Sequence, residues 1–254
     1  MHAAREVAEL AGAIALRHFR FSVAVEWKAD GSPVTAADRE AERAAREWIG
    51  RRFPDDGIVG EEFGVVNPDA RRRWLVDPID GTKSFMRGVP MWGTLIAVAD
   101  GDAVIAGAAS FPALGETLVA GRELGCWCNG ARARVSATSD ISRAAVLTTD
   151  EQFPRSPERR DGWRALAQRA ALARSWGDCY GYLLVATGRA EVMVDAAMAD
   201  WDSAALMPII TEAGGVFTDW DGRATAFGGS AIATNAALAS DARILLGVQR
   251  GERF

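Results

Sequence analysis

Histidine is nearly missing from this chain: there are two in 254 residues, His2 and His18. The side chain most often used as a general base is therefore scarce, and chemistry must run on carboxylates, hydroxyls, water and metal. Cysteine is sparse too, with three residues. Cys126 and Cys128 form a Cys-x-Cys, and Cys179 stands alone. With so few histidines they make no convincing zinc set. The Cys-x-Cys reads instead as a strand with both thiols on one face. Apolar runs break at Gly, Asp or Pro well short of the ~20 residues a spanning helix needs. Basic blocks are absent as well. The 29 Lys and Arg are scattered against 34 Asp and Glu, for a net charge of −5, which argues against nucleic acid as a partner. The N-terminus reads as a charged amphipathic helix without a signal-peptide core, so the cytosol is the expected compartment.

What is present describes an ordinary globular protein, 49% hydrophobic and 25% charged. Its length allows one large domain or two modest ones sharing a core. Val7, Leu10, Ala11 and Ile14 predict a helix over 2–20. A strand over 23–28 and a turn over 29–33 follow, then a helix over 36–51 capped by Thr35. A short strand at 58–59 delivers Glu61, and β-rich segments fall at 92–98, 104–110 and 117–120. From about residue 140 strands and helices alternate, with strands at 145–148, 190–194, 216–218 and 231–233. Helices are expected at 163–171, 179–187, 203–213 and 238–246. The pattern predicts an α+β half over 1–138 and an α/β half over 139–254.

The stretch Trp74-Leu-Val-Asp77-Pro-Ile-Asp80-Gly81-Thr82 carries the strongest chemical signal. An apolar strand ends on two carboxylates, and Pro78 excludes a simple helix and implies a rigid turn. Hard divalent cations favour such oxygen clusters, and free backbone N–H groups beside them suit phosphate. Asp38, Glu61 and Asp202 also sit at element ends. Each has a plainer reading. Asp77 and Asp80 could form Asx-type turns, Glu61 and Glu62 could be solvated, Thr35-x-x-Asp38 fits a capping box, and Asp202 could be an N-cap. If the acids meet, two like charges ~4 Å apart repel by about 4 kcal/mol at an effective dielectric of ~20. Such a cluster needs cations.

These motifs resemble the inositol monophosphatase family of magnesium-dependent, lithium-sensitive phosphatases. The likeness rests on Gly60-Glu61-Glu62, on Trp74 through Phe85, on Trp201-Asp202-Ser-Ala204-Ala205 with Glu212-Ala-Gly-Gly215, and on Val34-Thr35-Ala-Ala-Asp38. It covers essentially the whole chain and implies an α/β (α+β) fold, the layered αβαβα sandwich of the sugar-phosphatase superfamily. It implies two or three Mg2+ ions. Glu61, Asp77 and the Ile79 carbonyl would hold the first, Asp77, Asp80 and Asp202 the second, and a third would lie near Glu61 and Asp38. Gly81 and Thr82 would give backbone N–H groups to the phosphate. The Thr82 hydroxyl, with Asp38 behind it, would orient the attacking water, which makes Thr82, Asp38 and Glu61 the expected catalytic set. A homodimer is the common family assembly.

Within the family, the alcohol portion of the substrate meets the segment around Gly177 and Asp178 and the position of Asp195. The Gly177-Asp178-Cys179-Tyr180 segment resembles the bacterial histidinol-phosphatase branch. A carboxylate gains little beside a neutral polyol but forms a charge-assisted bond to an ammonium or imidazolium. The expected reaction is therefore hydrolysis of L-histidinol phosphate, in histidine biosynthesis, with Gly177, Asp178 and Asp195 at the substrate. An inositol-1-monophosphatase or broad sugar-phosphate phosphatase is the alternative, and a non-catalytic metal-binding scaffold the remote one. Asp178 has a plainer reading as a helix N-cap after Gly177. Trp92 is expected in the core, and Trp176 and Tyr180 either stack on substrate or pack.

Overall fold

Alternation along the strands sorts the side chains into three cores and so sets the layers. The computed structural model describes residues 1–20, 25–27 and 33–248. It begins with α1 (His2–His18), a hairpin of β1 (Val25–Trp27) and β2 (Pro33–Thr35), and α2 (Ala36–Arg52). An eight-stranded sheet follows. Its strands are β3 (Gly57–Gly60), β4 (Gly64–Val66), β5 (Arg72–Asp80), β6 (Gly93–Asp100), β7 (Ala103–Phe111), β8 (Glu116–Gly121), β9 (Gly125–Cys128) and β10 (Ala131–Arg132). They lie in the order β10-β9-β8-β7-β6-β5-β3-β4, with the short α3 (Thr82–Met86) between β5 and β6 in sequence.

The second sheet holds β11 (Ala145–Thr148), β12 (Leu172–Arg174), β13 (Val192–Asp195), β14 (Val216–Thr218) and β15 (Ala231–Thr234), in the order β12-β11-β13-β15-β14. Its helices are α4 (Arg160–Arg169), α5 (Asp178–Ala186), α6 (Asp200–Glu212) and α7 (Ala239–Leu245).

Trp74, Val76, Ile96 and Val98 pack with α1 and α2 in one core. The intervening Leu75, Leu95 and Ala97 point the other way, onto Leu183, Leu206 and Ile209 of α5 and α6. Leu147, Met193 and Ala233 of the second sheet close that middle core from the far side. The opposite face of the second sheet, with Val146, Val194 and Ile232, meets Trp163, Leu166 and Ala242 of α4 and α7. Helices, sheet, helices, sheet and helices thus alternate as αβαβα. Alanine lets α1 and α2 approach closely: Ala4, Ala8, Ala11 and Ala15 on one and Ala37, Ala41 and Ala45 on the other are fully buried.

Two expectations change. Pro33 opens β2 instead of ending a turn, and the remainder of that turn (29–32), with residues 23–24 and 28 of the expected strand, lies outside the described residues. Pro78 does not end β5, which runs on to Asp80 through a register shift. No helix of the described residues is long and apolar enough to cross a membrane.

Candidate active site

The register shift in β5 is what lets two acids share a face. Asp77 pairs with Leu95 and Asp80 with Gly93, so three steps on β5 oppose two on β6. In a regular strand residues i and i+3 face opposite sides, but one extra residue resets the alternation. Asp202, in the first turn of α6, comes in from the neighbouring layer. Asp77, Asp80 and Asp202 each offer a carboxylate oxygen, and these oxygens all lie within 4.8 Å of one another.

Local donors hold each acid. Asp77 Oδ1 accepts the Ile79 N–H at 3.0 Å, Asp80 Oδ2 the Cys179 N–H at 2.5 Å, and Asp202 Oδ2 the Ala199 N–H at 2.9 Å. Ala199, not Asp202, is the N-cap of α6, so Asp202 reaches back from the third helical position. Burial pushes Asp77 well above the usual carboxylate range, with Glu61, Asp80 and Asp202 adding to the effect. Burial likewise raises Asp80, followed by Asp178 and Asp202, and it raises Asp202 itself. An all-oxygen donor set that resists carrying its own charge fits a hard divalent cation.

Of the other expected residues, Glu61 acts on Asp77, and Gly81 and Thr82 directly follow Asp80 in sequence. Glu61 follows β3, donates its N–H to Val76 O at 3.2 Å and acts on Asp77 through its charge. Gly81 is left-handed, with φ +86°, and a Cβ there would lie 2.9 Å from Met91 O. It caps α3, so Thr82 is the first helical residue. Thr82 and Asp38 each hydrogen-bond within their own turn. The Thr82 hydroxyl donates to Ile79 O at 3.0 Å, because the turn at Gly81 folds it back over that carbonyl. Asp38 closes the capping box of α2, and its Oδ2 accepts from Thr35 N at 2.8 Å and Thr35 Oγ1 at 2.5 Å. Its Oδ1 is buried with no hydrogen-bond partner among the described residues, and burial pushes Asp38 up to about 6.

The substrate-side residues divide. Gly177 is the N-cap of α5 and is buried, and a Cβ there would lie 2.2 Å from Thr149 Cα. A side chain at 177 would run into Thr149. Asp178 is the first residue of α5, at φ +51°, and gives its N–H to Thr149 Oγ1 at 2.8 Å. Its Oδ2 would lie 3.2 Å from a Cβ on Gly81, and burial pushes it up to about 6 against the pull of Lys83. Asp195 is buried, accepting the Thr149 N–H at 3.2 Å and the Tyr182 hydroxyl at 3.0 Å. Burial pushes it up to about 7. A cavity of about 220 Å³ lies beside it, lined by Lys83, Thr149, Phe153 and Arg155 among others. A larger one of about 760 Å³, against Gly162, Trp220 and Leu246, contains none of these acids.

Trp92 is core, packed against Phe19 and Phe85. Tyr180 packs against the middle core, and Trp176 is 39% exposed. Sequence reasoning missed Lys83 and Thr149. Each directly follows a singled-out segment, the Asp77–Thr82 motif and the strand at 145–148, and that adjacency was the available signal.

Comparison with known proteins now decides the family. The sequence profile of the inositol monophosphatase family matches residues 1–249. The chain belongs to the inositol monophosphatase family. Membership makes it a phosphomonoesterase of a metal-dependent family. The chain is similar to a histidinol-phosphatase of Chlorobaculum parvum, 43% identical over 251 residues, covering 98% of this chain and 96% of that one. It is also 39% identical to a histidinol-phosphatase of Mycobacterium tuberculosis, over 84% of each. Among solved structures, it resembles an inositol monophosphatase from Zymomonas mobilis, with a TM-score of 0.86 and 32% identity over 97% of this chain and 96% of that one. A Thermotoga maritima IMPase superposes with a TM-score of 0.85 at 30% identity, over 95% and 94% of the chains.

Proposed function

We propose that this chain is a Mg2+-dependent phosphatase that hydrolyses L-histidinol phosphate, in histidine biosynthesis. The convergence of Asp77, Asp80 and Asp202 within 4.8 Å, beside a left-handed Gly81, carries the reaction class. Glu61, Asp77 and the Ile79 carbonyl would hold one Mg2+, and Asp77, Asp80 and Asp202 a second. A third would sit near Glu61 and Asp38, whose Oδ1 is buried with no hydrogen-bond partner among the described residues. Bound there, the ions would activate water, neutralise phosphate charge and stabilise the leaving alkoxide.

The remaining work falls to the chain itself. Backbone N–H groups of Gly81 and Thr82 hold the phosphate. The Thr82 hydroxyl, which donates to Ile79 O, is left with lone pairs to accept a hydrogen bond from the attacking water and so turn it toward phosphorus. Glu61 and Asp38 complete the polar surround of that water.

For the substrate, the support is the histidinol-phosphatase relatives and the two acids that Thr149 ties together, Asp178 and Asp195. Asp178 is the reader of a cationic nitrogen. Asp195 already accepts two protein hydrogen bonds and acts through the shape of the cavity. We also propose 1–138 and 139–254 as the two halves of the chain, a homodimer, and a cytoplasmic setting, which suits the three free thiols.

The test is phosphate release with Mg2+ from L-histidinol phosphate and from inositol 1-phosphate at matched concentrations, with EDTA as control. A strong preference for histidinol phosphate is expected. Asp178→Ala should lower kcat/KM for histidinol phosphate by about 10-fold or more, the worth of a charge-assisted bond, and change a neutral sugar phosphate far less. Equal losses on both substrates would remove Asp178 as the reader.

A further inference from the structure

Glu42 is a carboxylate with no exposed surface, and the proposed chemistry does not use it. It lies on α2 one turn after Asp38, and residues four apart share a helix face. Its Oε2 accepts the Glu62 N–H at 2.7 Å, and its Oε1 accepts the Phe63 N–H at 3.2 Å. Arg46 donates to Oε1 through Nε at 2.7 Å and also reaches the Gly64 carbonyl. A Cβ on Gly60 would stand 2.1 Å from Glu42 Oε1. The absence of a side chain at 60 is therefore what admits the carboxylate to the turn. On the other side of that turn, the Glu61 N–H is tied to Val76 O of β5 at 3.2 Å.

Resting on the metal site described above, we propose that Glu42 is the positioning residue for Glu61. Its carboxylate, clamped by Arg46, holds the backbone of residues 61–63 and so fixes the carboxylate that Glu61 brings to Asp77. The link is covalent and short. The donors Glu42 grips are the two residues directly after Glu61, so a shift of the turn shifts the ligand. A helix facing the strand makes a stiffer anchor than the turn could supply for itself, because β4 beyond it is short and exposed. Outer partners of metal ligands typically contribute about 10–100-fold in metal affinity.

Glu42→Gln keeps the shape but points an amide N–H2 at a backbone N–H or at Arg46, so one donor loses its acceptor. The experiment measures Mn2+ binding to the purified protein by calorimetry, together with the Mg2+ dependence of phosphate release and the melting temperature in EDTA. Mn2+ binding about 10-fold weaker or more, with most of kcat recovered at saturating Mg2+, is the expected result. A lower melting temperature with Mn2+ affinity within twofold of wild type would mean that Glu42 only braces the fold, and would overturn the proposal. Should Glu42→Gln fail to fold, Arg46→Gln decides: it leaves the backbone bonds but removes the clamp. It should weaken Mn2+ binding in the same direction and by less, and unchanged binding would overturn the proposal. Wild-type protein that bound no Mn2+ would overturn the metal reading itself, an outcome distinct from a failure of Glu42 alone.

Discussion

Asp80→Asn turns the repulsion inside the acid cluster into a measurable stability. The oxygens of Asp77, Asp80 and Asp202 lie within 4.8 Å of one another. Two full charges at about that separation repel by about 3.5 kcal/mol at an effective dielectric of ~20. Without metal, part of that is relieved by protonation, since burial raises all three carboxyls. The sign follows from linkage. A carboxyl whose folded pKa stands above its ordinary 3.8 binds its proton more tightly when folded, so stability falls as pH rises from there through the raised folded values. Asparagine at 80 removes the charge, yet its Oδ1 can keep the Cys179 N–H bond. In EDTA at pH 8 the variant should therefore be more stable than wild type by about 1–3 kcal/mol, and by less at pH 5. For a chain of this length that is about 2–10 °C in melting temperature. Adding Mg2+ should raise the wild-type melting point by mass action and move the variant much less. Phosphate release should fall by at least about 100-fold, as expected when a charge-stabilising group is lost. Thermal melts at both pH values, with and without Mg2+, check the first part. A variant that melts at or below wild type in EDTA at pH 8 would refute the repulsion argument, and full activity would refute Asp80 as a ligand.

Two further substitutions probe the surroundings. Asp195→Asn removes a carboxyl that burial pushes up to about 7. Wild-type stability should fall as pH rises from about 4 to 7 and the variant should show a flatter profile in urea melts; identical slopes would contradict a buried titrating group here. Gly81→Ala places a Cβ at φ +86° and 2.9 Å from Met91 O. It should cost about 1–3 kcal/mol and most of the phosphate release, and a variant with wild-type kcat/KM would refute the phosphate assignment.

Local patterns were readable before any coordinates. The strand Trp74–Val76 could be read from its apolar run, and α2 from Thr35 and Asp38 three residues apart. The layered fold was legible through resemblance, and the alternation of Trp74 and Val76 against Leu75 shows the physical pattern behind it. What escaped depends on distant partners or on elements too short for a period. The register shift that aligns Asp77 with Asp80 exists only against Leu95 and Gly93 on β6. The Glu42 contact spans 20 residues and the Cys179–Asp80 contact 99. The five-residue α3 is too short for a helical repeat to appear.

The plain and the functional readings of the acids turn out to be compatible. Asp38 and Asp202 serve helix N-termini, and Asp77 makes the Asx-type contact to Ile79. Each of these, and Asp80, gives one oxygen to a nearby backbone N–H. The local bond fixes the side chain, and the second oxygen is then held in place without the ligand having to order it. In the proposed site, fold and chemistry would then use different atoms of the same carboxylate. For that reason substitution by asparagine, which can keep the backbone bond and lose the charge, separates the two roles, whereas alanine removes both at once.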